Sequence, residues 1–548
     1  MDNGILGSVV DYQYEPLKDS ASIRLLYLHP GSFHQLPIKV SLQEFPVNAC
    51  PSFGALSYTW ATEDGAASLS RELLCNGASL RITENCEAAL KRLRRPTEDQ
   101  VLWVDAVCID QSNIEERSLQ IGLMRQIYSQ ASWVALWVGE SSSVVDEETE
   151  RKNSGQDPCE GPLYQEFIKD RQAFQHSNSE VFTPRVRGLW DVFHRKWWDR
   201  LWVIQEVALS KEPTLVCGGK AETFHNLKIV IEALISSEQP VEVMEFNTLF
   251  IASTFHQFHA LRILNATRNA KASDPRDKIY GILGFFGASG KDPENIFPEP
   301  DYKKTAAELY ADVSRAIIIN TGKLDVLSSC YGFIKSSVPN LPSWAVSWND
   351  TPLKYFDDEI FNAAGASSVI YEDSDDKLLL RIKGNKVDTV KLTGQLPDSI
   401  GYSNGAYIEL WRYWWKFVSD LKTYPTGDTI SDAFQDTLCW GSDDTDTAAK
   451  NIFDSKEPYK YAHRASSITW GRNMGITDKG YLATVPITTK VGDEIVIFEG
   501  AKLPFVVRTE GGKSKLGGPC YVRGMMDGEF STKEDAQATD ELEWFTLQ

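Results

Sequence analysis

The 548-residue chain is short of the features that mark secretion, membrane insertion, metal binding or glycine-loop nucleotide binding. Its start, MDNGILGSVVDYQYEP, has no basic stretch leading into an apolar core, so a secretory leader is not expected. No run of about 18 uninterrupted apolar residues occurs, so no membrane insertion is expected. The nine cysteines are odd in number and far apart, without a C-x-x-C pair, which argues against a disulfide framework and a zinc site. A reducing, cytoplasmic setting fits this usage. Basic charge is scarce: 76 acidic residues outnumber 56 basic ones, and the net charge of −20 repels phosphate backbones and anionic lipid, so nucleic acid is not an expected partner. The segment Gly511-Gly-Lys-Ser514 resembles the end of a phosphate loop, but Val507 stands where the first glycine is needed. There is no G-x-S-x-G elbow and no Rossmann fingerprint after a leading strand. His256 and His259, three apart, lack a carboxylate at zincin spacing and read as packing, so no metal and no cofactor are expected.

Apolar material is plentiful: hydrophobic residues make up 42% and aromatics 11%, with 16 Trp, in a chain longer than one core usually organises. Two or three packed units are expected. Residues 23–28 (IRLLYL) and 54–60 (GALSYTW) read as strands, and 83–94 as a helix capped by Thr83. VLWVDAVCI (101–109) reads as a strand covered on both faces, 114–131 as a helix with Glu115 and Glu116 in its first turn, and 133–139 as a third strand. Alternation of strand and helix with short links implies a parallel α/β sheet with right-handed crossovers and a ligand edge at the carboxyl ends of its strands. The polar, acidic stretch 140–160 reads as a mobile insertion, 189–210 as an aromatic-rich helix, and the residues beyond 365 as short strands forming a terminal sheet or small barrel, interrupted by a helical stretch near 406–422.

Several side chains at that edge could carry chemistry. Trp202 and Glu206 are four apart, so on a helix an indole would lie beside a carboxylate, which could stabilise a sugar cation or bind ribose hydroxyls. The alternative is a core tryptophan with Glu206 salt-bridged to Arg200 or a neighbour. Ser57, Tyr58 and Trp60 offer a hydroxyl, a phenol and a stacking surface at a strand end, or simply aromatic core packing. Asp105 in an apolar run must find hydrogen bonds or face a ligand. Glu116 could approach a ligand or favour its helix start, and Cys108 could be a nucleophile or a small buried hydrophobe.

The stretches ALSYTW, CNGASLRITENCEAALKRLR, LWVDAVCIDQSNIEERSLQIGLMRQIYSQASWVALWVG and WWDRLWVIQEVAL together resemble the heterokaryon-incompatibility (HET) domain of filamentous fungi. DPRDKIYGILG, PDYKKTAAELYADV, LPSWAVSW, GDEIVIFEGAKLPFVVR and YVRGMMDGEF resemble the regions that follow such domains. The chain departs from the family at Ala61, where Gly is common, and at Asp110, where Asn is usual. The HET domain is in turn similar to TIR domains, whose enzymatic members cleave the nicotinamide–ribose bond of NAD with a helix-borne glutamate. The resemblance implies a TIR-like, flavodoxin-like sheet flanked by helices over 1–235, a helical accessory region over 236–360 and a β-rich α+β region over 361–548. It also implies Glu206 and Trp202 as catalytic residues, with Ser57, Tyr58, Trp60, Asp105, Gln111 and Glu116 around the substrate, NAD as that substrate, homo-oligomerisation and an unidentified protein trigger. A non-catalytic scaffold acting by self-association, or a HET-like fold turned to other small-molecule chemistry, are the alternatives.

Overall fold

The computed structural model describes residues 10–141, 191–228, 260–284, 296–351, 360–394, 406–441, 465–466, 468–530 and 542–548. The chain divides into two compact units, one of residues 1–258, 269–293 and 299–303, the other of 259–268, 294–298 and 304–548. The described residues of 236–360, expected as a helical accessory region, are shared between the two. The insertion expected near 140–160 lies outside the described residues beyond Ser141, as do His256 and His259.

The first unit is built on β1 (Ser22–Leu28), β2 (Ile38–Pro46), β3 (Gly54–Tyr58), β4 (Arg71–Cys75), β5 (Ala78–Ile82), β6 (Gln100–Trp103), β7 (Trp133–Trp137), β8 (Pro213–Cys217) and β9 (Lys220–Thr223). These form one sheet in the order β5-β4-β2-β1-β6-β3-β7-β8-β9. Its centre, β6-β3-β7-β8, is parallel throughout. The flanks are mixed: β1 runs antiparallel to both β2 and β6, and β9 antiparallel to β8. The expected all-parallel sheet therefore holds for the centre alone. Between β1 and β2 the link is too short for a crossover, which takes a dozen or more residues, so that pair can only turn back on itself.

Within the parallel centre, β3 comes first in the chain, β6 second, β7 third and β8 fourth, giving the spatial order second, first, third, fourth. Successive connections from β3 leave to opposite sides, so a crevice is expected between the carboxyl ends of β3 and β7. Every residue of β3, GALSY, is buried, as a strand covered on both faces requires. Gly54 opens it because a Cβ there would collide with the Trp133 indole across the β3–β7 pair. The helix α1 (Glu84–Leu93) starts on Thr83, whose hydroxyl accepts the Cys86 amide at 3.3 Å. The apolar run VLWVDAVCI is strand only as far as Trp103; Asp105–Cys108 then form a short helix, α2. Hydrophobicity alone could not separate a buried strand from a buried turn of helix; in that turn the Asp105 carboxylate accepts the Ala106 amide at 2.7 Å. The helix α3 (Ile114–Gln130) is capped by Asn113, which accepts the Glu115 and Glu116 amides at 3.1 Å. After a short 3-10 turn at Lys196–Asp199 comes α4 (Leu201–Ala208).

Of the next two helices, α5 (Ala260–Thr267) belongs to the second unit and α6 (Asp277–Tyr280) to the first. In the second unit α7 (Ala306–Thr321) begins with a reciprocal capping box between Thr305 and Glu308 and ends on left-handed Gly322. Its β-rich part contains β10 (Tyr371–Glu372), β11 (Leu380–Gly394), the helices α8 (Ala406–Val418) and α9 (Ile430–Cys439), β12 (Arg472–Thr477), β13 (Leu482–Pro486), β14 (Glu494–Phe498), β15 (Phe505–Glu510), β16 (Lys513–Pro519), β17 (Tyr521–Val522) and β18 (Glu543–Leu547). The pairings β11-β14-β15-β16-β18-β11 close a circuit, so of the terminal sheet or small barrel expected from the sequence it is the barrel that forms. The 15-residue β11 bends at two irregularities and carries its far end into β12, β13 and β17. Trp411 and Trp414 of α8 and Phe434 of α9 pack with Met474, Ile476 and Leu482 of that extension.

Gly54→Ala is expected to lower stability by about 1–3 kcal/mol, the usual cost of overpacking, because the added methyl must displace a large ring held between two central strands. Thermal unfolding monitored by tryptophan fluorescence checks this, and an unchanged midpoint would contradict the close approach of β3 and Trp133.

Candidate functional site

The carboxyl ends of β3, β6 and β7 are pinned by polar side chains that leave the core to bond one another. Asn85, at the start of α1, donates to the Thr59 carbonyl at 2.7 Å and to the Thr59 hydroxyl at 3.0 Å, and accepts the Trp137 indole N–H at 2.8 Å. One buried amide thus ties the ends of β3 and β7 to a helix. Trp197 donates its indole N–H to the Ser57 hydroxyl at 2.9 Å, and Arg200 donates to the Tyr58 carbonyl. With its oxygen taken up as acceptor for Trp197, the Ser57 hydroxyl has its proton left for another group.

That group is Glu206. Carried by α4, it is only 4% exposed, and its Oε2 closes no hydrogen bond. Burial pushes its carboxyl up from the usual range to about 7. Arg200, the largest opposing influence, draws it down, the hydroxyls of Ser57 and Tyr128 favour the anion further, and Asp105 raises it. Asp105 is raised above the usual range, again by desolvation first, with Arg200 opposing. Its Oδ2 accepts the Trp60 indole N–H at 2.9 Å. A buried and a half-buried carboxyl group therefore both feel one guanidinium, and only Asp105 has both oxygens hydrogen-bonded.

The structure brings Ser57, Tyr58, Trp60, Asp105 and Glu206 to one edge, although they come from β3, the loop after it, α2 and α4. Gln111 stands behind them, donating to the Asp105 backbone carbonyl at 2.8 Å. Glu116 is elsewhere engaged: Arg24 grips it at 2.5 and 3.1 Å, and the Asp110 amide donates to it at 2.8 Å. Trp202 gives its indole N–H to Asp277 at 3.2 Å, so the indole linked to Glu206 through Ser57 is that of Trp197. Cys108 is buried, and burial pushes its thiol up to about 12, which leaves negligible thiolate at neutral pH. Sequence reasoning did not find Asn85, Tyr128 or Trp197. Their only signals were a polar residue inside a helix start, one tyrosine on an apolar helix face and a tryptophan pair, each ordinary in a core.

Chemically, a desolvated carboxylate with an open oxygen can hold a cation or bind hydroxyl donors far more strongly than one in water, since neither water nor a fixed partner competes.

An α/β unit with this edge, followed by a small β-barrel, defines a two-part architecture, and comparison with known proteins assigns it. Residues 53–206 match the family described as heterokaryon incompatibility protein (HET), and residues 404–539 match the Het-6 beta-barrel domain. Over those two stretches the chain is similar to fungal HET proteins. It is 25% identical, over 96% of its own length and 97% of the relative's, to "Heterokaryon incompatibility protein 6, OR allele" of Neurospora crassa. No solved structure matches it. The HET match spans β3, β6 and β7 and ends on Glu206, so Ser57, Tyr58, Trp60, Asp105, Tyr128, Trp197 and Arg200 all lie inside it.

Two outcomes follow. Because Glu206 binds its proton more tightly folded than unfolded, stability falls as pH rises from about 4.5 to about 7 and then levels, a loss of about 3 kcal/mol. Glu206→Gln is expected to match the wild type near pH 4.5 and to melt higher at pH 8; equal midpoints at both pH values would disprove the burial. Glu116→Ala, which leaves Arg24 buried without its counter-charge, is expected to cost about 3–5 kcal/mol in denaturant unfolding. A loss below about 1 kcal/mol would show the pair to be replaceable by water.

Proposed function

We propose that this HET-family protein acts in heterokaryon incompatibility, in nonself recognition and programmed cell death signalling, and that its α/β unit does so by hydrolysing NAD to nicotinamide and ADP-ribose at Glu206. The observation that carries the chemical part is the buried Glu206 carboxyl, one oxygen unbonded, at the carboxyl edge of the sheet's parallel centre, where strand order places the ligands of such sheets. The N-glycosidic bond of NAD breaks with its electron pair returning to the nicotinamide ring, which departs neutral and needs no acid. Positive charge passes to the ribose, where the carboxylate stabilises it; water then adds to the anomeric carbon and releases a proton. Ser57 and Tyr128 hold the anion, Arg200 favours its ionised state, and Trp60 offers a flat face beside Asp105. Among the described residues no helix is long and apolar enough to cross a membrane, which is compatible with a cytoplasmic site of action.

A non-catalytic scaffold that signals by self-association is the second reading, and the depth at which Glu206 is buried is the observation that favours it. One assay separates the two. Purified protein, dilute and concentrated to allow homo-oligomers, is incubated with NAD and nicotinamide is measured. Catalysis predicts release that rises with pH through about 7 and falls on the order of 10²–10³-fold in Glu206→Ala. Release unaffected by that substitution, or none at any concentration, would leave the scaffold.

A further inference from the structure

The helix bearing Glu206 has eight residues and no side-chain cap at its start, so on its own it would be marginal and its exact position must come from what packs on it. Within the same unit, the segment 274–284 packs on it at three points. The Asp277 carboxylate accepts the Trp202 indole N–H at 3.2 Å with Oδ2, and the Tyr302 hydroxyl with Oδ1. A Cβ on Gly281 would press on Leu201 at 2.9 Å, and one on Gly284 would overlap the buried Gln205 side chain, so both glycines permit a backbone approach no other residue allows. The segment is itself braced. Arg276 holds the Asp274 carboxylate at 2.6 and 2.9 Å and reaches the Tyr302 carbonyl, while the Tyr280 hydroxyl is bonded to the Asp301 amide and carbonyl at 3.0 Å. Trp202 lies one turn before Glu206 on the same helix face, so anchoring that indole fixes the rotation and height at which Glu206 meets Ser57 and Tyr128.

We infer that the segment 274–284, closed by Tyr302, is a positioning element for the Glu206 site, and that Asp277 is its positioning residue, acting through Trp202 without touching substrate. Displacements well under an ångström are enough to spoil an electrostatic site, and here one carboxylate–indole bond sets that margin. The inference deepens the proposed function and rests on it for its catalytic consequence, but the position of Glu206 can be read without any reaction.

The groups facing Glu206 are Ser57, Arg200, Asp105 and Tyr128; those facing Asp277 are Tyr302, Trp202, Asp274 and Arg117. The full-length protein is compared with Asp277→Ala and Asp277→Asn, each with and without Glu206→Gln, by thermal midpoints from pH 5 to 9. The difference each Glu206→Gln makes reports the titration of Glu206 in that background. In Asp277→Ala the freed helix should let water reach Glu206, and the difference at pH 8 should shrink to less than about half its wild-type size. Asp277→Asn can still accept from Trp202 while donating to the Tyr302 oxygen, and should keep it. If NAD is cleaved, Asp277→Ala should lower kcat about 10-fold or more with little change in KM. A protein that loses stability equally at every pH in Asp277→Ala, with the Glu206 difference intact, would overturn the inference and leave the segment merely structural. Should Asp277→Ala not fold, Tyr302→Phe removes one of the two bonds and must give a smaller shift in the same direction, an unchanged difference again counting against it. Absence of NAD cleavage in the wild type would defeat the proposed function and leave the midpoint comparison decisive for this one.

Discussion

The desolvation of Glu206 is the constraint on which the rest of the first unit turns. Holding an ionised carboxylate there above neutral pH costs about 3 kcal/mol, a large share of the ~5–15 kcal/mol by which domains are stable. The surrounding core has to supply that margin. It does so with an all-buried β3 packed against Trp133, and with Trp103, Trp137 and Trp197 fully buried at the same end of the sheet. Arg200 returns part of the cost at both Glu206 and Asp105, yet desolvation outweighs it at each, so neither carboxyl is brought to its ordinary range.

The mixed edges of the sheet serve the same end. By running antiparallel beside β6, β1 carries Arg24 to the buried Glu116, and their ion pair closes the loop that follows α2. Gln111 in that loop then fixes the backbone of Asp105, the carboxyl nearest in kind to Glu206. The parallel centre brings Ser57, Asp105 and Glu206 to one edge, and the antiparallel flank braces the loop behind Asp105.

What the sequence made legible was local. Thr83 as a cap, the buried strand at Gly54–Tyr58, the helix at 114–130 and the β-rich tail follow from periodicity and turn chemistry, which act over a few residues. The convergence of Ser57, Asp105 and Glu206 was legible only through the rule that parallel strands present their carboxyl ends to a ligand. Glu116 could not be placed, because its partner lies 92 residues earlier on a strand that turned out antiparallel. Nor could Trp202, whose helical spacing from Glu206 is as expected but whose N–H is taken by Asp277, 75 residues later. Spacing along a helix tells which side chains share a face; it says nothing of what that face meets.

Glu116 and Glu206 set a paired buried carboxylate beside an open one. Both are at least 94% buried, at 6% and 4% exposure, and both sit on helices beside the central strands. Glu116 has a bidentate arginine and a backbone amide, so its charge is matched and a ligand could only displace bonds already made. Glu206 has the attraction of Arg200, two hydroxyls and an oxygen left open. A fold selected for stability alone would be expected to pair or remove such a group, since an unpaired buried charge is among the costlier things a core can hold. Its presence at the carboxyl edge of the parallel centre, with one oxygen open, is the observation on which the proposed role of Glu206 as partner of a visiting cation rests.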